Sequence, residues 1–311
     1  MTGDLPTPDR PLRIGTRGSP LALAQAHETR ARLMAAFGLP ETAFVIAVIK
    51  VTGDTIQDRS LREAGGKGLF TREIEEALAE GSIDIAVHSM KDMPVDQPDG
   101  LMLDCYLPRE DVRDAFVTLD GRGLADLAAG AVVGTSSLRR RAQVLARRPD
   151  LRVVEFRGNV QTRLRKLADG VADATFLAMA GLNRLGRADV PRQPVSPDDL
   201  LPAVAQGAIG IERRTADDRV AALLAAIHDR PTGDRLAAER AFLAALDGSC
   251  QTPIAGLAEL VPGGLRLRGE ILRPDGSRVL ADDVTVAVAE GPAAGRDMAA
   301  RLLDRAGPEF F

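Results

Sequence analysis

Two patterns of apolar and polar residues alternate along most of the chain. Short apolar runs read as buried strands, and longer stretches with apolar residues three and four apart read as amphipathic helices. The first strand is L-R-I-G-T at 12–16. Ser19 and Pro20 then start a helix, with serine as N-cap and proline in the first turn. It runs to about Phe37 and stops at Gly38. The pattern next predicts a strand over 43–51, a helix over 71–80 and a strand over 83–89. Before that second helix lie T-G-D-T-I-Q-D-R-S-L-R-E-A, a polar stretch expected to be mobile, and G-G-K-G-L-F, Gly65 to Phe70. Two extended segments are expected within 101–118, around P-R-E-D-V-R-D. The alternation then restarts, with strands predicted over 131–135, 151–157 and 173–178 and helices over 136–148, 160–168 and from Met179.

The restart copies the opening. I-G-T-R-G-S-P-L-A and V-G-T-S-S-L-R-R both end a strand in G-T, pass a serine and enter a helix. Alternating strands and helices predict parallel sheets covered on both faces. The fold class expected is therefore α/β: two similar doubly wound domains joined by a double-crossing hinge, as in periplasmic binding proteins. The crossings fall near 105–115 and 200–210 and flank a cleft, a common place for a ligand. From Pro231 the character changes. A helix over 233–246, strands over 254–260, 264–273 and 278–288, and a helix over 292–306 predict a small C-terminal α+β domain. The expected domains are 11–108 with 207–228, then 113–202, then 231–311.

Composition narrows the function classes. Hydrophobic residues at 45% and charged residues at 27% are those of an ordinary soluble protein. No run has the length of about 18 apolar residues that spans a bilayer. The start, M-T-G-D-L-P-T-P-D-R-P, lacks the apolar core of a secretion signal, so a cytoplasmic protein is expected, with no membrane partner. A net charge of −4 gives no global attraction for nucleic acid. Two cysteines and three histidines without paired spacing predict no metal site. Cys105, in L-M-L-D-C-Y-L, reads as a small buried hydrophobe. Cys250 differs. It lies in L-D-G-S-C-Q-T-P, a small polar turn between a helix and a strand.

Several strand-to-helix junctions carry one chemistry. Arg17 with Ser19 marks the first, and Lys67 between glycines the second. Thr135, Ser136, Ser137, Arg139 and Arg140 mark another, and Arg157-Gly158-Asn159 with Arg163 one more. Free backbone N–H groups, a hydroxyl or amide and a fixed positive charge suit an anion at a helix N-terminus. Arginine in a first helical turn opposes the macrodipole, so Arg139 and Arg140 are expected to serve a ligand. Asp92 lies just past the end of an apolar strand, beside Lys91. A carboxylate there can accept N–H groups, stabilise a developing cation and shuttle a proton. His88 reads as packing or support. These residues alone leave three readings open. One is an enzyme working on a polyanion placed at Cys250. Another is a non-catalytic receptor for a small polyanion, which gives Cys250 no task. The third is a thiol hydrolase, for which no nearby motif supplies a base.

Taken together, R-I-G-T-R-G-S-P-L-A-L-A-Q, G-G-K-G-L-F, D-I-A-V-H-S-M-K-D-M-P, V-G-T-S-S-L-R-R-R, R-G-N-V-Q-T-R-L, A-V-A-Q-G-A-I-G-I-E and the Cys250 turn resemble the porphobilinogen deaminase (hydroxymethylbilane synthase) family, from about Arg13 to Arg305. The resemblance implies a monomeric transferase with porphobilinogen as substrate. Its dipyrromethane cofactor is built from two porphobilinogen units and held by a thioether to the cysteine matching Cys250. Four further units are added head to tail with loss of ammonia, and hydrolysis releases the linear hydroxymethylbilane. The residue matching Asp92 contacts pyrrole N–H groups and assists protonation, deamination and coupling. Arg17, Ser19, Thr135, Ser137, Arg139, Arg140, Arg157, Arg163 and Arg184 match positions that bind acetate and propionate arms. Lys91 matches a cofactor contact, and Ser89 joins it in the binding set. Lys67 and Phe70 match an active-site loop, and Gln25 and Gln206 match cleft residues. Two departures stand out. Ser249 replaces a glycine common in relatives, and Glu63 replaces a lysine, so no role passes to Glu63.

Overall fold

The computed structural model describes residues 5–52, 71–248, 252–308 and 310. The chain divides into two compact units, Met1–Arg109 with Ala208–Gly233 and Glu110–Gly207 with Asp234–Phe311. The polar stretch expected to be mobile, with Glu63, Lys67 and Phe70, lies outside the described residues, as do Ser249 and Cys250.

The first unit opens with β1 (Leu12–Arg17) and α1 (Pro20–Phe37). Ser19 caps α1 by accepting the Ala22 N–H at 3.3 Å, and Gly38 ends it in the left-handed region at φ 64°. Next come β2 (Phe44–Ile49), α2 (Arg72–Ala79), β3 (Ile85–Ser89) and β4 (Leu101–Tyr106). The chain then enters the second unit through β5 (Asp114–Thr118) and continues as β6 (Val132–Gly134), α3 (Leu138–Arg147), β7 (Arg152–Val154), α4 (Val160–Ala168), β8 (Ala174–Ala178), α5 (Met179–Arg184) and β9 (Arg192–Pro194). It returns to the first unit as β10 (Ile209–Arg214) and α6 (Asp218–Ala225). Last come α7 (Arg230–Ala245), β11 (Ile254–Val261), β12 (Gly264–Leu272), β13 (Val279–Val286) and α8 (Gly291–Ala306).

The first two sheets share one plan. Their strand orders are β2-β1-β3-β10-β4 and β7-β6-β8-β5-β9. The strand by which the chain enters each sheet from the other unit, β10 or β5, takes the same fourth place. The expected α/β class with repeated domains and a separate antiparallel C-terminal sheet, β11-β12-β13, is what the chain adopts. Within that class, the sheets expected to be parallel are mixed. β10 runs antiparallel to β3 and β4, and β5 antiparallel to β8 and β9. These entering strands do not follow a helical crossover within their own sheet, so the right-handed parallel rule does not bind them.

Glycine makes the repeated G-T strands possible. A side chain at Gly15 would strike Ile83, and one at Gly134 would strike the Phe156 ring. Leu12, Ile14, Leu33, Ile85, Ile209 and Ile211 form the first unit's core. Phe116 and Phe176 meet edge-on in the second, centroids 5.0 Å apart. Helix α3 starts two residues later than expected, because Ser136 leaves the helical path to accept the Phe156 N–H at 3.0 Å. β7 is correspondingly short, its partner contacts ending where Val154 accepts from Thr135 N–H. Strand β9 carries no periodic apolar signal, and only its pairing with β5 defines it. Helix α6 does have a sequence signature: Asp217 caps it and Val220, Leu223 and Leu224 are buried.

Within the second unit the C-terminal sheet is tied to α3. Gln143 Nε2 donates to Glu270 Oε2 at 2.6 Å. The D-G turn before β13 seats Gly276, at φ +74°, against the α3 backbone at Ala142 and Ala146, where no side chain fits. Glu239 of α7 is fully buried. Its carboxylate accepts the N–H of Ala205 at 2.6 Å and of Ala258 at 2.7 Å.

Candidate active site

Strand β3 ends in a short 3-10 turn, Met90–Asp92. Met90 and Met93 are buried and pin the turn on both sides, and Met90 N–H donates to Ala208 O at 3.1 Å. That anchoring turns the Asp92 side chain outward. It is exposed and makes no hydrogen bond or ion pair to any described residue, while Lys91 beside it is half-buried. Behind the turn, Gln25 of α1 is buried, and its Nε2 donates to Ser89 Oγ at 2.8 Å. Tertiary structure thus joins two expected site residues that lie 64 positions apart. His88 faces the opposite way, its Nε2 3.1 Å from Glu212 Oε2, both side chains buried. This agrees with a supporting role. On α2, Glu75 is pushed above the ordinary carboxylate range by burial, with the nearby Glu212 charge adding to it.

At the first junction Arg17 closes β1, half-buried, and Ser19 is engaged as the α1 cap. At the corresponding junction of the second unit, Thr135 is buried and its Oγ1 accepts the Ser137 N–H at 3.2 Å. Ser137 Oγ caps α3 by accepting from Arg140 N–H at 3.4 Å. Each expected hydroxyl therefore has a structural task in shaping a helix start.

Arg139 and Arg140 are enclosed rather than presented at the surface. Both are 4% exposed, and both converge on Asp114, which is 0% exposed. Arg139 Nη1 lies 2.8 Å from Asp114 Oδ2, and Arg140 Nη2 lies 2.7 Å from Asp114 Oδ1. A buried carboxylate from β5 compensates the two charges. Burial opposes ionisation of Asp114, yet the charges and hydrogen bonds of Arg139 and Arg140 hold it well below the usual range. Burial draws Arg139 below its ordinary value, and Asp114 works against that pull. Gln206, fully buried, adds Nε2 donors to Asp114 Oδ1 at 2.9 Å and Val112 O at 2.8 Å.

The next junction, Arg157-Gly158-Asn159, turns at Gly158 with φ +120°. Asn159 Oδ1 caps α4 through Thr162 N–H at 2.9 Å. Arg163 Nε donates to Gly158 O at 2.9 Å, and Lys166 Nζ to Arg157 O at 3.1 Å. Arg157 and Arg163 are half-buried, as is Arg184, whose Nη2 donates to Gly207 O at 3.1 Å. Asp114, Glu212, Glu239 and Glu270 were not singled out as functional in the sequence. A signal did exist for Asp114: an acid directly before the wholly apolar A-F-V of β5 is either buried and paired or misplaced. Cys105 is buried, and burial pushes its thiol up to about 12, so it is an inert core residue. Among the described residues no cluster of His, Cys, Asp and Glu is arranged to hold a metal, and no helix is long and apolar enough to cross a membrane.

Two family models match the chain. One is described as porphobilinogen deaminase, dipyromethane cofactor binding domain, over residues 12–222. The other is porphobilinogen deaminase, C-terminal domain, over residues 234–304. A porphobilinogen deaminase of Paracoccus denitrificans (strain Pd 1222) is 68% identical over 307 residues, covering 99% of this chain and 98% of that protein. A chloroplastic porphobilinogen deaminase of Pisum sativum is 55% identical over 306 residues, covering 96% of this chain and 83% of that protein. Among solved structures, a double mutant of the BvgS VFT2 domain of Bordetella pertussis aligns over 74% of this chain and 90% of its own, with 15% identity and a TM-score of 0.39. A Salmonella typhimurium periplasmic binding protein of high arginine specificity aligns over 70% and 91%, with 15% identity and a TM-score of 0.40.

Proposed function

The chain belongs to the porphobilinogen deaminase family, and from that premise we propose that it condenses four porphobilinogen units head to tail on a dipyrromethane primer joined to Cys250 by a thioether, then releases the linear tetrapyrrole by hydrolysis. The observation that carries this is the match to the cofactor-binding family model across residues 12–222, which contain every expected binding residue except the anchoring cysteine. In the sequence Cys250 falls between the end of α7 and β11, within residues 234–304 matched by the second family model. The proposal includes a cytoplasmic monomer and the domains 11–108 with 207–228, 113–202 and 231–311, as the sequence suggested.

The donor set suits such a primer. Each pyrrole of the chain carries two carboxylates, so a growing product is a polyanion. Guanidinium groups at strand-to-helix junctions are the donors that bind carboxylates bidentately. Arg17, Ser19, Thr135, Ser137, Arg157, Arg163 and Arg184 are proposed to hold the acetate and propionate arms, with Arg139 and Arg140 behind them. The Arg139 Nε–H is buried with no acceptor among the described residues. Lys91, Gln25, Ser89, Gln206, Lys67 and Phe70 complete the proposed lining.

The bound primer supplies a nucleophilic pyrrole carbon. Asp92 is proposed to accept pyrrole N–H groups on its free oxygens, to stabilise the electron-deficient ring left by loss of ammonia, and to move a proton at the same carboxylate. Its exposure and its lack of described partners leave both oxygens available. The anchored Met90–Asp92 turn fixes the backbone that carries this carboxylate.

Intact mass of the purified protein tests the proposal. Two pyrrole units bound covalently are expected, and Cys250→Ser should carry none. An unmodified wild-type protein with full activity would overturn it.

A further inference from the structure

We infer that His88 and Glu212 act together as positioning residues for Asp92, their buried hydrogen bond holding the end of β3 on β10 and with it the backbone of the Met90–Asp92 turn; the inference rests on the function proposed above, which gives that turn its task. β3 and β10 run antiparallel, with Gly210 opposite His88 and Glu212 opposite Ala86. The His88 side chain therefore reaches diagonally along β10. Its Nε2 lies 3.1 Å from Glu212 Oε2, and the two side chains are 5% and 0% exposed. Beyond His88 the strand is held through Ser89 opposite Ile209 and through the Met90 N–H, which donates to Ala208 O at 3.1 Å. The Met90 side chain lies over Gly210, where an added Cβ would stand 2.1 Å from its Sδ. The pair and this methionine seat are successive holds on the last residues before Lys91 and Asp92. Asp92 is exposed with no described partner, so its restraint comes through the backbone.

Packing alone does not explain the pair. β3 otherwise carries Ile85, Ala86 and Val87, all buried and apolar. Two apolar side chains would fill the places of His88 and Glu212, and such a replacement of a buried polar pair is often neutral or stabilising. A carboxylate is enclosed there instead, and its Oε1 is buried without a hydrogen-bond partner among the described residues. The cost spreads to α2, where Glu75 is pushed above the ordinary carboxylate range by burial, with the Glu212 charge adding to it. What the pair supplies over apolar packing is direction. A hydrogen bond prefers one distance and angle, whereas apolar contacts tolerate sliding. Direction matters in front of a catalytic carboxylate, where a misplacement of about 1 Å can cost about 10²-fold in rate.

The test replaces both residues at once, His88→Leu with Glu212→Leu, in the full chain purified with its primer. The double variant should unfold in urea at a midpoint no lower than that of the wild-type protein, because an apolar pair takes the place of a polar one. Counted per molecule carrying the two-pyrrole adduct by intact mass, its kcat should fall about tenfold with KM for porphobilinogen within about threefold, as expected for lost chemistry rather than lost binding. Glu212→Gln is the second variant. It keeps an oxygen to accept from His88 Nε2 and should recover most of that loss. An unchanged kcat in the folded double variant would overturn the inference and leave the pair a structural one. A Glu212→Gln variant as slow as the double variant would overturn it too, since the hydrogen bond would then not be what matters. If the double variant does not fold, the pair belongs to the fold alone and the inference fails. Wild-type protein without any adduct would instead overturn the proposed function.

Discussion

The β1–α1 and β6–α3 junctions begin from nearly the same sequence, G-T followed by a capping serine, and end with opposite electrostatics. At the first, Arg17 precedes the cap and the opening turn of α1 carries no charge. At the second, Arg139 and Arg140 sit inside the opening turn, buried and paired to Asp114. The deciding difference is the strand in fourth place. In the second sheet β5 brings an aspartate to its first position. In the first, β10 opens with Ile209 and Gly210, and its acid, Glu212, faces His88 instead. The macrodipole penalty for an arginine near a helix start is about 0.3–1 kcal/mol. Breaking a buried ion pair costs about 3–5 kcal/mol. The ion pair outweighs the dipole, so an arginine near a helix start is tolerated once a buried carboxylate is within reach.

The same contrast separates two aspartates. Asp92 is exposed with no described partner, and Asp114 is enclosed by donors. The largest expected effect is on turnover. Asp92→Asn should lower kcat by about 10²–10⁴ while shifting stability by no more than about 0.5 kcal/mol, as read by steady-state rates and thermal melting. A loss of stability matching that of Asp114→Asn would break the contrast.

Asp114→Asn should lose about 3–5 kcal/mol at neutral pH by urea unfolding, because two buried arginines lose their counter-charge. The pH dependence has a definite sign. Asp114 ionises well below the usual range when folded and near pH 4 when unfolded. As pH falls through about 4 the unfolded chain takes up a proton that the folded chain refuses, so stability present above that pH is lost below it. The wild-type protein should therefore weaken from about pH 5 downward, and Asp114→Asn should show a flatter profile. Equal slopes would show that the buried pair is not the source of acid sensitivity. The smallest effect concerns the caps. Ser19→Ala and Ser137→Ala should each cost about 1 kcal/mol by the same measurement. A markedly larger loss at Ser137 would indicate that the cap also orients the arginine pair.

Much of the architecture was legible from local chemistry. Ser19-Pro20 and Gly38 bound α1 because caps act within one turn, and β3 and β8 are continuous apolar runs because both their faces are covered. The exposed position of Asp92 was also legible, as the first acid beyond such a run. β9 was not, since three residues without apolar periodicity become a strand only through pairing with β5. The partners of Arg139 and Arg140 were equally hidden, because Asp114 lies 25 and 26 residues away on a strand whose place in the sheet no local pattern states.

The amino-acid order by itself determined the repeated α/β plan, the antiparallel C-terminal sheet, the helix starts and the set of cationic and hydroxyl residues at the strand ends. Those features follow from residue periodicity and capping, which operate over a few positions. Only the tertiary structure decided which charges are enclosed and which are left outside. It paired Gln25 with Ser89, His88 with Glu212, and two arginines with one aspartate. The physical reason is that desolvation and Coulomb energy depend on distance through space, and the packing of strands that are distant in sequence sets that distance.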